Sequence, residues 1–107
     1  MFSAEPIMKP GLRTETDSLG DFQVAQDALY GIHTARALLN FPLTGTPCAP
    51  ALVRGMALVK LACARTNAGL GYLEADIGNA IAQACSELAE GRHREAVVVD
   101  ALQGGAG

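Results

Sequence analysis

The residues of this 107-residue chain best suited to chemistry are its last five, Gln103-Gly104-Gly105-Ala106-Gly107. Glycine lacks a Cβ and takes positive φ freely, so clustered glycines let backbone N–H groups converge on an anion such as a carboxylate. On spacing alone the segment is either such an anion loop or a glycine-rich end, because a full GxGxxG is missing and no lysine follows. Arg13 and Arg36 each stand in a sparsely basic stretch, and a guanidinium can hold a carboxylate through two parallel hydrogen bonds. Each is either that clamp or an ion pair with one of the 11 acidic residues or with a neighbouring subunit. His33, within Tyr30-Gly31-Ile32-His33-Thr34, reads as a structural or interface residue rather than a base. His93, between Arg92 and Arg94, reads as solvated. Glu15 and Asp17 share one face of an expected strand, with nothing to split their pKa values into an acid and a base. No catalytic residue follows from the order of serines, histidines and acids.

Metal and disulfide chemistry find little support. The three cysteines, Cys48, Cys63 and Cys85, form no CxxC or other ligand spacing, so no metal site and no cofactor are expected. Cys63 and Cys85 fall on apolar helical stripes, where a thiol behaves as a small buried hydrophobe.

The elements that must position these groups can be laid out in order. Residues 1–11 read as a flexible lead-in and 12–107 as one domain. Alternation from Leu12 to Val24 around Ser18-Leu19-Gly20-Asp21 predicts a short β-hairpin reversing at Gly-Asp. A helix is expected over Leu29–Phe41, capped by Asp27 and stopped by Pro42. The clearest helical periodicity covers Ala51–Asn67, with Leu52, Met56, Val59, Cys63 and Thr66 on one face and Gly69 as its left-handed end. Another helix is expected over Glu74–Glu90, striped by Ile77, Ile81, Ala84, Cys85 and Leu88, so the two make an αα-hairpin. Val97-Val98-Val99 reads as a short strand because valine is β-branched. The fold class is mainly α: an N-terminal β-hairpin and three helices.

Composition narrows the function. A formal charge of −3 argues against nucleic acid as a partner. No apolar run reaches the ~20 residues of a membrane span, and the first ten residues lack a signal-peptide core, so a cytoplasmic chain is expected. Half of the residues are hydrophobic but only 5% are aromatic. A core built from Ala, Val and Leu gains little area per residue, so such a chain is more comfortable as one layer of a larger helical assembly.

The blocks RTETDSLGDFQV, DALYGIHTARALLNFPLTG, ALVRGMALVK, GNAIAQACSELAEG and VVVDALQGGAG together resemble the N-terminal domain of the aspartate ammonia-lyases, in the aspartase/fumarase superfamily. The resemblance runs over about residues 12–107, and YGIHTARA and QGGAG lean to the aspartases rather than to class II fumarases. It departs from the family at Val24-Ala25-Gln26-Asp27, at Leu39 and at Ala96-Val97-Val98, where local packing and loop rigidity are affected.

The resemblance implies a β-elimination of L-aspartate to fumarate and ammonia. In the family a serine on a mobile loop of the central domain removes the proton beside a carboxylate, and active sites are composite, built from three subunits of a tetramer. It also implies that Gln103, Gly104, Gly105, Ala106 and Gly107 shape a substrate-pocket wall, continued in the family by Thr-Ser-x-Asn. Arg13, His33 and Arg36 become candidate carboxylate or subunit contacts. The central helical-bundle domain and the catalytic serine lie outside the sequence, so the isolated chain is expected to be inactive. Its expected partners are the remainder of a lyase or full-length lyase subunits, with a small dicarboxylate or amino-acid substrate only in the complete assembly. The alternatives are a stand-alone interaction or accessory domain, or part of another fumarate-releasing lyase such as a class II fumarase.

Overall fold

A computed structural model describes residues 11–104. Strands β1 (Leu12–Asp17) and β2 (Gly20–Ala25) form an antiparallel hairpin, paired from Leu12↔Ala25 to Asp17↔Gly20. The reversal falls on Ser18-Leu19, not on Gly-Asp as expected. Ser18 and Leu19 both keep negative φ, so Gly20 (φ 110°) supplies the left-handed step that lets β2 start. Asp17 also accepts the Leu19 N–H at 2.9 Å, which tightens the turn. Pleating sends Arg13, Glu15 and Asp17 inward with Phe22 and Val24, while Thr14 and Thr16 bond Gln23 and Asp21 across the outer face.

Helix α1 (Ile32–Asn40) begins later than expected, with Gly31 as its N-cap. Asp27 does not cap it. Glu15, reaching from β1, accepts the Ile32 N–H at 3.0 Å instead. Helices α2 (Pro50–Gly69) and α3 (Ala75–Ala89) form the expected αα-hairpin, with proline in the first turn of α2. Gly69 stays helical. The left-handed residues after the two helices are Gly71 (φ 80°) and Gly91 (φ 91°). Each is followed by a residue whose N–H reaches back five positions: Tyr72 to Asn67 at 2.9 Å, Arg92 to Glu87 at 3.0 Å.

Val97–Val99 forms no strand. A 3₁₀ turn at Arg94–Ala96 leads into irregular chain, and pairing is confined to an isolated bridge between Pro47 and Asp100. The physical reason is the neighbour: the 44–47 loop offers a proline, so no continuous ladder can form beside the valines.

The core is thin. Among the described residues the buried apolar side chains are Val24, Ile32, Ala37, Ala57, Ala64 and Cys85. Helices α2 and α3 pack against each other and bury the small residues Ala57, Ala64, Gly78 and Cys85, with Ala68 and Ala82 half-buried. They approach so closely that a Cβ on Gly78 would lie 2.9 Å from that of Ala68. Most of the two expected stripes therefore faces outward, although Cys85 of the α3 stripe is buried as expected and Leu88 is half-buried. Leu52, Met56, Val59, Ile77 and Ile81 are exposed, as is Cys63, which was expected inside. With a step of about 100° per residue, the exposed members of both stripes fall on one side of the antiparallel pair. Arg54, Arg65, Asn79, Gln83 and Glu90 fall on the other side.

Candidate functional site

Arg13 lies in β1, where pleating turns it toward the chain entering α1. Its guanidinium donates to Glu15 Oε2 (2.7 Å) and to the carbonyls of Ala25 (2.8 Å), Gln26 (2.9 Å), Ala28 (3.0 Å) and Tyr30 (2.8 Å). The segment 25–30 has no ladder to satisfy those carbonyls, so one cation gathers them. Arg36, one turn into α1, grips Asp17 with two parallel bonds of 2.8 and 2.9 Å. It also bonds the Gly20 carbonyl at 3.0 Å and lies 5.0 Å from the Phe22 ring centre. Both guanidinium groups are thus engaged inside the chain, and together they lock α1 onto the hairpin. Beside Arg13 and the Ile32 N–H, Glu15 is held below its ordinary pKa; beside Arg36 and the Leu19 N–H, Asp17 is held below its own. Both remain ionised structural acceptors.

His33 stands apart. Its side chain is 89% exposed at the start of α1, with Nδ1 3.9 Å from Asp17 Oδ2. The structure brings His33, Arg36 and Asp17 to one edge and leaves only the imidazole facing outward. His93 is not solvated as expected: it takes a left-handed backbone (φ 58°) and Nε2 lies 2.6 Å from Glu87 Oε1. That contact, with Arg92 nearby, lowers the Glu87 pKa.

The terminal segment is presented by a residue the sequence reading passed over. Asp100 is 8% exposed and accepts the N–H of Thr44 (2.6 Å), Gly45 (3.0 Å) and Leu102 (2.9 Å), together with the Thr44 hydroxyl (3.0 Å). The Leu102 and Thr44 amides, outweighing the cost of burial, hold its carboxyl down to about 2. Ala101 N–H adds a bond to the Thr46 carbonyl at 2.8 Å. A lone acid between a valine run and a glycine-rich segment, opposite Thr44-Gly45-Thr46, was the available signal. Gln103 follows, its N–H on the Asp100 carbonyl at 3.0 Å and its buried Oε1 without a partner among the described residues. Gly104 is exposed, while the expected contributions of Gly105, Ala106 and Gly107 lie outside the described residues.

Comparison with known proteins decides the family. The pattern of a family described as Lyase matches residues 20–107. The chain belongs to this lyase family. Within it, aspartate ammonia-lyase from Pseudomonas aeruginosa is 48% identical over 97 residues, covering 89% of the chain and 20% of the relative. Class II fumarate hydratase from Halobacterium salinarum is 40% identical over 100 residues, covering 94% and 21%. The structure of fumarate lyase:delta crystallin from Brucella melitensis superposes with a TM-score of 0.85 at 44% identity, over 90% of this chain and 21% of that one. The lyase chain thus spans about a fifth of the length of these relatives. Among the described residues no helix is long and apolar enough to cross a membrane, and no cluster of histidine, cysteine and acidic side chains could hold a metal ion.

Proposed function

We propose that this lyase-family chain is the N-terminal layer of an enzyme of the aspartate ammonia-lyase type, which releases ammonia from L-aspartate to leave fumarate, and that the chain is inactive by itself. The observation that carries this reading is the 48% identity to an aspartate ammonia-lyase of which the chain spans only a fifth. The uncovered side of α2 and α3 supports it. Exposed Leu52, Met56, Val59, Ile77 and Ile81 form a surface that suits burial against further helices. Its partners are then the remainder of the lyase or complete lyase subunits, in the cytoplasm.

In this reading, Asp100 anchors the strand of chain from which Gln103–Gly107 leave, and their backbone donors form one wall of a carboxylate pocket. Proton removal beside that carboxylate, and protonation of the leaving amine, fall to groups on the rest of the assembly. Groups that act as a unit are not replaced piecemeal, which is why the isolated chain gives no turnover. His33 is the outward-facing candidate for a substrate or subunit contact; Arg13 and Arg36 position the hairpin and α1 behind it.

The experiment grafts residues 20–107 into the P. aeruginosa relative in place of its matching segment. The graft is expected to assemble and release fumarate from aspartate, and the purified 107-residue chain to release none. Turnover by the chain alone overturns the inactivity, and an assembled graft without aspartase activity overturns the function. A second reading, part of a class II fumarase, is favoured by the 40% identity to the H. salinarum hydratase. A graft of the same segment into that enzyme, active on malate while the aspartase graft is not, selects it.

A further inference from the structure

We infer that the groove between the first turn of α2 and the last turn of α3 is a binding site for small organic anions with an apolar tail, their anionic head held by Arg54, Arg92 and Arg94. The groove encloses about 700 Å³, within the usual range for small-molecule sites. Its walls are apolar, with Pro47, Pro50, Val53, Leu88 and Val97 on facing sides. Three of the eight basic residues of an acidic chain gather around it, against one acid, Glu90.

These guanidinium groups differ from those of Arg13 and Arg36 in having donors to spare. Arg54 makes no ion pair among the described residues. Arg92 is 60% exposed and makes a single ion-pair contact, 3.5 Å to Glu87. Arg94 gives a single long bond of 3.3 Å to the Gly91 carbonyl. The first turn of α2 carries no acidic side chain, so its positive end adds to the same field. Cations beside apolar walls, in a concavity of low dielectric, concentrate anions that bring an apolar body with them. Of the proposed carboxylate wall, the described residues Gln103 and Gly104 do not line the groove, and the site stands whether or not the chain serves a lyase.

Cys48 lines the groove and reports on it, with exposed Cys63 as internal control. The 107-residue chain is alkylated with iodoacetate and, separately, with iodoacetamide, and each cysteine is followed by peptide mass spectrometry. The ratio of the two rates at one thiol cancels its intrinsic reactivity and reads the local attraction for an anion. That ratio is expected to be about threefold higher at Cys48 than at Cys63, although Lys60 lies one turn from Cys63. Saturating octanoate is expected to slow Cys48 about fivefold and leave Cys63 unchanged, whereas acetate and octan-1-ol slow neither.

In the combined R54Q, R92Q and R94Q variant both effects disappear while the helical circular dichroism is kept. Should that variant fail to fold, R54Q alone halves the rate ratio. Equal ratios at the two cysteines overturn the site. So does protection of both alike, protection by octan-1-ol, or protection that survives loss of the arginines.

Discussion

The hairpin with α1 and the pair α2–α3 are held by opposite means. In the first, Arg13 and Arg36 make nine hydrogen bonds or ring contacts between them, gathering backbone carbonyls and two carboxylates. In the second, Ala57, Ala64 and Ala68 admit Gly78 and Cys85 by having almost no side chain. Directional bonds to charged groups complete themselves within the chain. Close packing of small residues buries little area per residue and leaves the large apolar side chains facing outward. The first region satisfies its polar groups within the chain; the second leaves large apolar side chains exposed. The arginines follow the same division: Arg13 and Arg36 are fully engaged, whereas Arg54 makes no ion pair among the described residues and Arg92 and Arg94 make one loose contact each.

The difference can be broken most directly at the helix crossing. Gly78→Leu forces a side chain into a gap already closed by Ala68 at 2.9 Å. It is expected to destabilise the chain by about 3 kcal/mol, read as a fall in the urea midpoint with loss of helix signal. Arg13→Ala should cost less, about 2 kcal/mol, because water can reach part of the carbonyl set once the guanidinium is gone. Arg13→Lys is expected to recover only a fraction, since an ammonium cannot fork to the Glu15 carboxylate and the carbonyls together. Near-wild-type urea midpoints for Arg13→Ala would show that the clasp follows the fold rather than holding it.

Smaller and local is the response to acid. The Asp100 carboxyl titrates near 3.8 when unfolded and near 2 when folded, so the folded state binds its proton less readily. Its stabilisation is complete above the unfolded value and is lost as pH falls from about 4 toward 2. Amide exchange at Thr44, Gly45 and Leu102 should speed up across that window, and Asp100→Asn should remove the dependence. The smallest effect on the chain itself belongs to the outer stripes. Val59→Glu with Ile81→Glu should move the stability of the lone chain by no more than about 0.5 kcal/mol, while the same changes in the grafted enzyme prevent assembly. A large loss in the lone chain would mean that this face is already covered.

Much of this was legible in the residues. Alternation gave the hairpin, 3.6-residue periodicity gave α2 and α3, and glycine after each helix gave the ends, displaced at Gly71 because Gly69 fits the helix. The low aromatic content indicated a layer rather than a self-sufficient core. Periodicity could not say which of two apolar faces α2 would bury, since Ala57-Leu61-Ala64-Ala68 and Leu52-Met56-Val59-Cys63 repeat equally well. The contacts of Arg13 were equally hidden, because carbonyl acceptors carry no signature in side-chain identity.

Sequence alone determined the lyase family, the order of the hairpin and the three helices, and the polar or apolar character of each face, because these follow from residue type and spacing along one chain. Tertiary structure decided which arginines are fully engaged and which keep donors to spare, that small residues lie where α2 and α3 approach most closely, and that Asp100 draws two loops together across 56 positions to Thr44. Those outcomes depend on distances between segments remote in sequence, and such distances are set only when the backbone closes on itself.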